Sequence, residues 1–373
     1  MSEKVRVAII GLGFGAEFIP IYQNHPDAEM AAVCQRDEKS LSQVGDAFGV
    51  EKRYARYEDV LADPDIDAVH INTPIPLHGE QSLAALEAGK HCACTVPAAT
   101  NVETLKSLVR AQKRAGKKYM MMETVVYARE FLFVKQLYEK GEMGRLQFLR
   151  GSHQQEMAGW PGYWEGLPPM HYATHCVSPL LALAGTLCES VVCHGSGRID
   201  EKLVVKYGSP FAIETATLSL RDTDVRAEVT RSLFNTARQY RESFDVYASD
   251  VSWEWTLIEN EPCVLHRGEE PELVKVPDFA DRLPEGIRRY TTQGVYDMEE
   301  HTHLSFKQGS GHGGSHPHLA HEFLRAVVED REPFPNAAQS ANWTATGLCA
   351  HDSAMLGGER VGVPDFEAIA REA

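Results

Sequence analysis

The sequence has no apolar run long enough to cross a bilayer, and Met1-Ser2-Glu3-Lys4 leads straight into a strand-like segment. Neither a membrane span nor a signal peptide is therefore expected. Positive charge is also scarce: 37 basic residues stand against 53 acidic ones, a net charge of −16. That balance argues against a nucleic-acid or anionic-membrane partner. The eight cysteines form no Cys-x-x-Cys framework and fall mostly in apolar segments. Reduced thiols in a cytoplasmic protein fit this pattern better than disulfides. Internal repeats and low-complexity tracts are missing as well, and 373 residues suffice for two domains without metal or disulfide staples.

What is present begins at Val5-Arg6-Val7-Ala8-Ile9-Ile10-Gly11-Leu12-Gly13-Phe14-Gly15-Ala16. A short β-branched run ends in glycines and a helix-compatible segment follows, the order of a strand, a tight turn and a helix N-terminus. Gly11 would make the turn, Gly13 would let the backbone approach a pyrophosphate, and Ala16 would take the helix-packing position. Strand-like and helix-like pieces then alternate. Strands are expected at 29–33, 68–72, 91–94 and 119–123, and helices at 38–48, 77–88 and 102–115. This rhythm implies a parallel sheet covered on both faces, a dinucleotide-binding α/β domain over about residues 1–125. At the tip of the second strand, Gln35 stands where an acid would bind the ribose of NAD. Arg36 is placed to face a phosphate or stack on adenine, and Asp37 to reach the ribose; NAD is favoured over NADP.

Beyond residue 125 the rhythm changes. Helices are expected at 129–140, 175–184, 317–329 and 338–355, with strands at 146–153, 189–196, 212–220, 225–234, 243–248 and 252–257. Strands running consecutively indicate a second, α+β domain over 126–373 with a large, mostly antiparallel open sheet. Its final helix is expected to pack back on the first domain. Cys92 and Cys94 alternate along a strand and should share a core face. Trp253 and Trp255 share a face too, one that suits a core or an oligomer interface equally.

Together, several motifs resemble the glucose–fructose oxidoreductase / inositol dehydrogenase (Gfo/Idh/MocA) family. They are the Gly11–Ala16 loop, Asn72-Thr73-Pro74 followed by His78, Ala88-Gly89-Lys90-His91 leading to Pro97, Gly141-Glu142-Met143-Gly144, and Val363-Pro364-Asp365-Phe366. The resemblance implies a nucleotide-binding domain, a sugar-type substrate between the domains, and a homo-oligomer, dimer or tetramer, built through the C-terminal sheet. It implies cofactor contacts from Gly11, Gly13, Phe14, Gly15, Ala16, Gln35, Arg36, Asn72, Thr73, Pro74, His78, Pro97 and Glu123, the last at the nicotinamide end.

Two departures sharpen the reading. Ordinary members carry Glu-Lys-Pro where this chain has Thr95-Val96-Pro97, and an Asp four residues before a His where it has His171 and His175. Both departures, with Tyr172-Ala173-Thr174-His175 and Gly311-His312-Gly313-Gly314, resemble a branch that oxidises glycosides at C3, including glycosidases that use NAD without consuming it. Oxidising a secondary alcohol needs a base for the hydroxyl proton, and histidine suits that task near neutrality. His175 is the expected base, with Tyr172 or His171 as its partner. His153, His312 and His316 are expected around the substrate. Trp160 and Trp164, with Tyr163, form either a sugar-stacking lid or a loop pinned by buried aromatics. The run His301, His303, His312, His316, His318 and His321 completes no familiar metal spacing, and no metal is expected there. The readings that follow are a sugar or glycoside dehydrogenase, a redox-neutral glycosidase, or an inactive nucleotide-sensing regulator.

Overall fold

The computed structural model describes residues 4–238, 240–258, 261–292 and 311–373. The first sheet is built from β1 (Val5–Ile10), β2 (Ala28–Cys34), β3 (Arg53–Tyr54), β4 (Ala68–Ile71), β5 (His91–Thr95) and β6 (Tyr119–Met122), in the order β3-β2-β1-β4-β5-β6. Every pair in it is parallel. Helices α1 (Ile19–Asn24), α2 (Glu38–Phe48), α3 (Tyr57–Ala62), α4 (His78–Glu87) and α5 (Val102–Ala115) make the crossovers. Their ends obey local chemistry. Asp37 caps α2 by accepting from the Ser40 amide at 2.8 Å, and Gly116 ends α5 in the left-handed region at φ 62°. The strand order reverses between β1 and β4, which opens a crevice at their C-terminal ends.

The second sheet has nine strands, ordered β14-β13-β12-β11-β7-β10-β9-β8-β15. They are β7 (Leu146–Gln154), β8 (Cys188–Ser196), β9 (Ile213–Leu220), β10 (Arg226–Ser232), β11 (Arg241–Ala248), β12 (Ser252–Glu254), β13 (Cys263–His266), β14 (Glu272–Val274) and β15 (Val361–Gly362). Only β7 and β10 pair in parallel, so the sheet is mostly antiparallel. Helices α6 (Arg129–Glu139), α7 (Thr174–Ala184), α8 (Glu201–Tyr207), α9 (Ser315–Val328), α10 (Ala337–Met355) and α11 (Phe366–Arg371) complete the described elements. Six short elements carry too few residues to show a period and were not anticipated: β3, α3, α8, β13, β14 and β15. Strand β12 ends at Glu254, three residues earlier than expected.

The C-terminal helices tie the two sheets together. Leu319, Ala320, Phe323 and Leu324 of α9 join Val7, Ile9 and Phe18 in one apolar cluster over the first sheet. The polar side of α10 stitches both halves. Ser340 accepts from the Met121 amide and Thr344 from the Ala98 amide, while Asn342 exchanges two hydrogen bonds with the Cys188 backbone. Phe366 of α11 is fully buried in the cluster that holds Leu105 of α5. All eight cysteines are free and buried, with Cys92 and Cys94 in one core cluster. Trp253 is fully buried and stacks on Phe244 at 6.4 Å, with Trp255 edge-on to the same ring at 5.5 Å. Core packing therefore accounts for Trp253, whereas Trp255 is only partly buried against the same cluster and also lines the open sheet face. Among the described residues, no helix is long and apolar enough to cross a membrane.

Candidate active site

Gly11 adopts φ +88°, and a Cβ there would lie 2.6 Å from the Asn72 carbonyl oxygen. Only glycine allows β1 and the β4 loop to approach so closely. Gly13 faces open space, since a Cβ there would meet nothing within 4 Å. The cradle thus fits a dinucleotide, with clearance where the pyrophosphate would lie. The helix expected after the loop begins instead as a 3-10 turn, Gly15–Phe18, before α1. That turn buries Ala16 and also Glu17, whose carboxyl burial holds well above the usual range.

At the tip of β2, the Gln35 amide donates to the Tyr54 carbonyl and Arg36 is exposed. Asp37, expected to reach the ribose, also caps α2: its Oδ1 accepts from both the amide and the hydroxyl of Ser40. Across the crevice, Thr95 Oγ1 donates to Asn72 Oδ1 at 3.0 Å and Thr73 Oγ1 to Gln81 Oε1 at 2.5 Å. The His78 ring bridges two loops, with Nδ1 2.8 Å from the Pro97 carbonyl and Nε2 2.7 Å from the Thr73 carbonyl. Two acceptors require two N–H donors, so this ring braces the loop that starts at Pro74. Its pKa is raised in spite of burial, in keeping with that doubly protonated form.

The opposite wall is set by sheet register. Arg231 of β10, His153 of β7 and Glu242 of β11 stand side by side across three adjacent strands. His175 reaches them from the first turn of α7. Its Nδ1 lies 2.6 Å from Glu123 Oε1 and 2.9 Å from Glu242 Oε1, and its Nε2 lies 3.2 Å from the Tyr172 hydroxyl. Tyr172 closes a separate 3-10 turn, Pro169–Tyr172, so the two residues meet across a kink at Ala173 rather than on one continuous helix. Burial pushes the imidazole pKa down, but Glu123 and then Glu242 override it and hold it well above the ordinary value. Fully buried Arg231 fixes this geometry from behind, donating to the carbonyls of Tyr172, His153 and Ser232 and to Gln155 Oε1.

Between the walls lies a cleft of roughly 680 Å³, counting the space open to solvent. Phe14, Asn72, Thr73, His78 and Val96 line one side; His153, Gln155, Tyr240 and His312 line the other. No lysine lines it among the described residues. Trp160, Tyr163, Trp164 and Tyr172 form an aromatic end wall. Trp164 is buried with its ring 4.8 Å from Tyr172, while half-buried Trp160 packs on it at 5.7 Å. The loop is therefore both pinned and a wall.

His312 Nδ1 stands 3.4 Å from Glu242 Oε2, and its ring is 6.0 Å from Phe14. His316 does not line this cleft. It lies beneath Phe14, 98% buried, with Nδ1 3.3 Å from Glu17 Oε2. His171 also points elsewhere: its ring packs on His351 at 4.8 Å, and His351 Nδ1 meets Glu214 Oε1 at 2.6 Å. Tyr172, not His171, is thus the partner of His175. His318 and His321 pack within α9, the latter 2.8 Å from His25 Nε2; His301 and His303 lie outside the described residues.

Glu242, Tyr240, Gln155 and Arg231 were not singled out from the sequence. The signal for Glu242 was there: Glu242, Phe244 and Val246 alternate on one face of β11, so a carboxylate sits at an inward position. The expected strand started one residue past it. His153, His175 and Glu242 also offer donor atoms that all lie within 4.8 Å of one another, a grouping that could hold a metal ion.

A six-stranded sheet with a glycine cradle at its switch point defines a dinucleotide-binding protein of the Rossmann class. Residues 5–123 match the GFO_IDH_MocA family model, described as an oxidoreductase family with an NAD-binding Rossmann fold. One similar protein is an uncharacterized oxidoreductase, ORF334, of Rhizobium meliloti, 31% identical over 40% of this chain and 45% of its own length. The chain thus spans under half of that relative. A glycosyl hydrolase family 109 protein of Streptomyces niveus is 25% identical over 98% of this chain and 78% of its own. Among solved structures, levoglucosan dehydrogenase in complex with NADH shares the fold at TM-score 0.78 and 20% identity, covering 97% of this chain and all of the other.

Proposed function

We propose that this protein oxidises a secondary hydroxyl, at C3, of a sugar or glycoside, with NAD as hydride acceptor. The observation that carries the reading is the His175 imidazole, backed on Nδ1 by Glu123 and Glu242, with its other nitrogen beside the Tyr172 hydroxyl at the cleft. The carboxylates fix the tautomer and stabilise the imidazolium that forms when the hydroxyl proton arrives. When bound in the glycine cradle, NAD supplies the two-electron acceptor. Val96 lines the cleft at the place where the family resemblance implies a lysine, which leaves the proton to His175. Trp160 and Tyr163 offer faces for a sugar ring or its aglycone. The test is to incubate the protein with NAD and a panel of glycosides, follow NADH, and identify the new carbonyl by NMR.

The similarity over 98% of the chain to a glycosyl hydrolase family 109 protein favours a second reading. A C3 ketone acidifies the C2 proton; Tyr172 takes that proton, the aglycone leaves, water adds, and returned hydride restores the sugar. Aglycone release without net NADH distinguishes it from a dehydrogenase. Residence in the cytoplasm, where thiols stay reduced, and assembly through the open face of the second sheet around Arg150, Glu228, Tyr247 and Trp255 belong to the same proposal.

A further inference from the structure

His153 is 1% exposed, yet neither of its ring nitrogens has a hydrogen-bond partner. Buried polar atoms are normally satisfied, so such an orphan needs an explanation. It has company. The neutral His175 ring carries one proton; when Nδ1 directs it to Glu123 at 2.6 Å, Glu242 Oε1 at 2.9 Å is left without a donor. Glu123 Oε2 is likewise unpartnered. Three acceptor-rich side chains therefore converge on one point, and one donor atom from each of His153, His175 and Glu242 lies within 4.8 Å of the others.

Charge points the same way. Once an ion has displaced the His175 proton and both imidazoles are neutral, the carboxylates of Glu123 and Glu242 outweigh the single guanidinium of Arg231, whose donors are taken up by carbonyls and Gln155. Two imidazoles and a carboxylate, beside a cleft that leaves further positions open, make a donor set suited to a borderline divalent ion. Glu123 supplies what such sites place behind a ligating imidazole, a carboxylate on its second nitrogen.

We propose that His153, His175 and Glu242 form a divalent-cation site beside the cleft, suited to Zn2+, and that filling it excludes the sugar hydroxyl from His175. The exclusion rests on His175 being the base, because the lone pair that takes the proton is the one the ion needs; the site itself does not.

The test uses the full chain, treated with chelator and loaded with NAD, titrated with Zn2+ by calorimetry and with Co2+ by visible absorption. The expected result is one ion per chain, bound at least tenfold more weakly by His153→Asn and by Glu242→Gln. Absence of binding in the wild type, or undiminished binding in both variants, overturns the site. Where a variant fails to fold, the wild-type Co2+ spectrum decides: an intense low-coordinate band supports the site, and a weak octahedral one overturns it. Zn2+ should raise the KM for the glycoside and leave NAD affinity unchanged; an unchanged KM or activation overturns the exclusion. Glycoside oxidation without zinc binding removes the metal site alone, whereas zinc binding without oxidation of any glycoside removes the proposed function alone.

Discussion

Glu123 and His175, fifty-two positions apart, meet through a 2.6 Å contact between Oε1 and Nδ1, with neither side chain more than 2% exposed. The contact joins the C-terminal end of the nucleotide-binding sheet to the first turn of α7. It sets the imidazole at the boundary between the two sheets, where a cofactor from one side and a sugar from the other would meet.

Replacing that imidazole should remove turnover without removing the cofactor. His175→Asn is expected to lower kcat by about 10²–10⁴-fold, the range for loss of a general base, with NAD affinity within about twofold of wild type. Stopped-flow turnover beside a nicotinamide titration checks both. Equal loss of NAD binding would mean that the residue holds the fold instead.

The pH dependence of the chelator-treated enzyme follows from the same contacts. Burial disfavours the imidazolium, but Glu123 and Glu242 raise its pKa well above the ordinary value, so the proton-accepting form is scarce at neutrality. Activity should climb as pH rises above 7, and Glu242→Gln should move the climb to lower pH. A profile unchanged by that substitution would deny Glu242 its hold on the base.

Gly11→Ala tests the cradle. A Cβ placed 2.6 Å from the Asn72 carbonyl, at φ +88°, must push β1 and the β4 loop apart. NAD should lose its stabilising effect on melting, whereas Gly13→Ala, with nothing within 4 Å, should fold normally and weaken NAD only by crowding the phosphates.

Acid should unfold the protein through histidines held neutral. Burial pushes His25, His91 and His318 down to about 4, and His70 and His171 to about 3. In the unfolded chain each takes up a proton near about 6.5, so between that value and about 4 the unfolded state binds more protons. Stability is fully present above that window and is lost as pH falls through it. Denaturant midpoints at pH 7, 6, 5 and 4 (about these values) should fall steadily; a flat series would contradict the assignment.

The nucleotide-binding half was open to reading because each local signal agreed with the fold. β-branched strands, capped helices such as Asp37–Phe48 and glycine stops such as Gly116 all mark their own boundaries. Tyr172 was legible only as one of two candidate partners for His175, beside His171, and the two meet across a kink rather than along one helix. What the sequence hid is long-range. Arg231, His153 and Glu242 come from strands far apart in the chain, and only their register makes them neighbours. His171 misled for a related reason: a 3-10 turn ending at Tyr172 aims adjacent side chains in different directions, one at His175 and the other at His351. Asp37 also caps α2 through Oδ1, a local demand that strand-tip position alone does not show.

The most direct measurement is NADH formation and product identity when the metal-free protein meets a panel of glycosides, run beside His175→Asn. A 3-keto sugar or glycoside should form, with one NADH per carbonyl, and the variant should form neither. Tight NAD binding with no oxidised sugar, or equal turnover by wild type and variant, would contradict the proposed function.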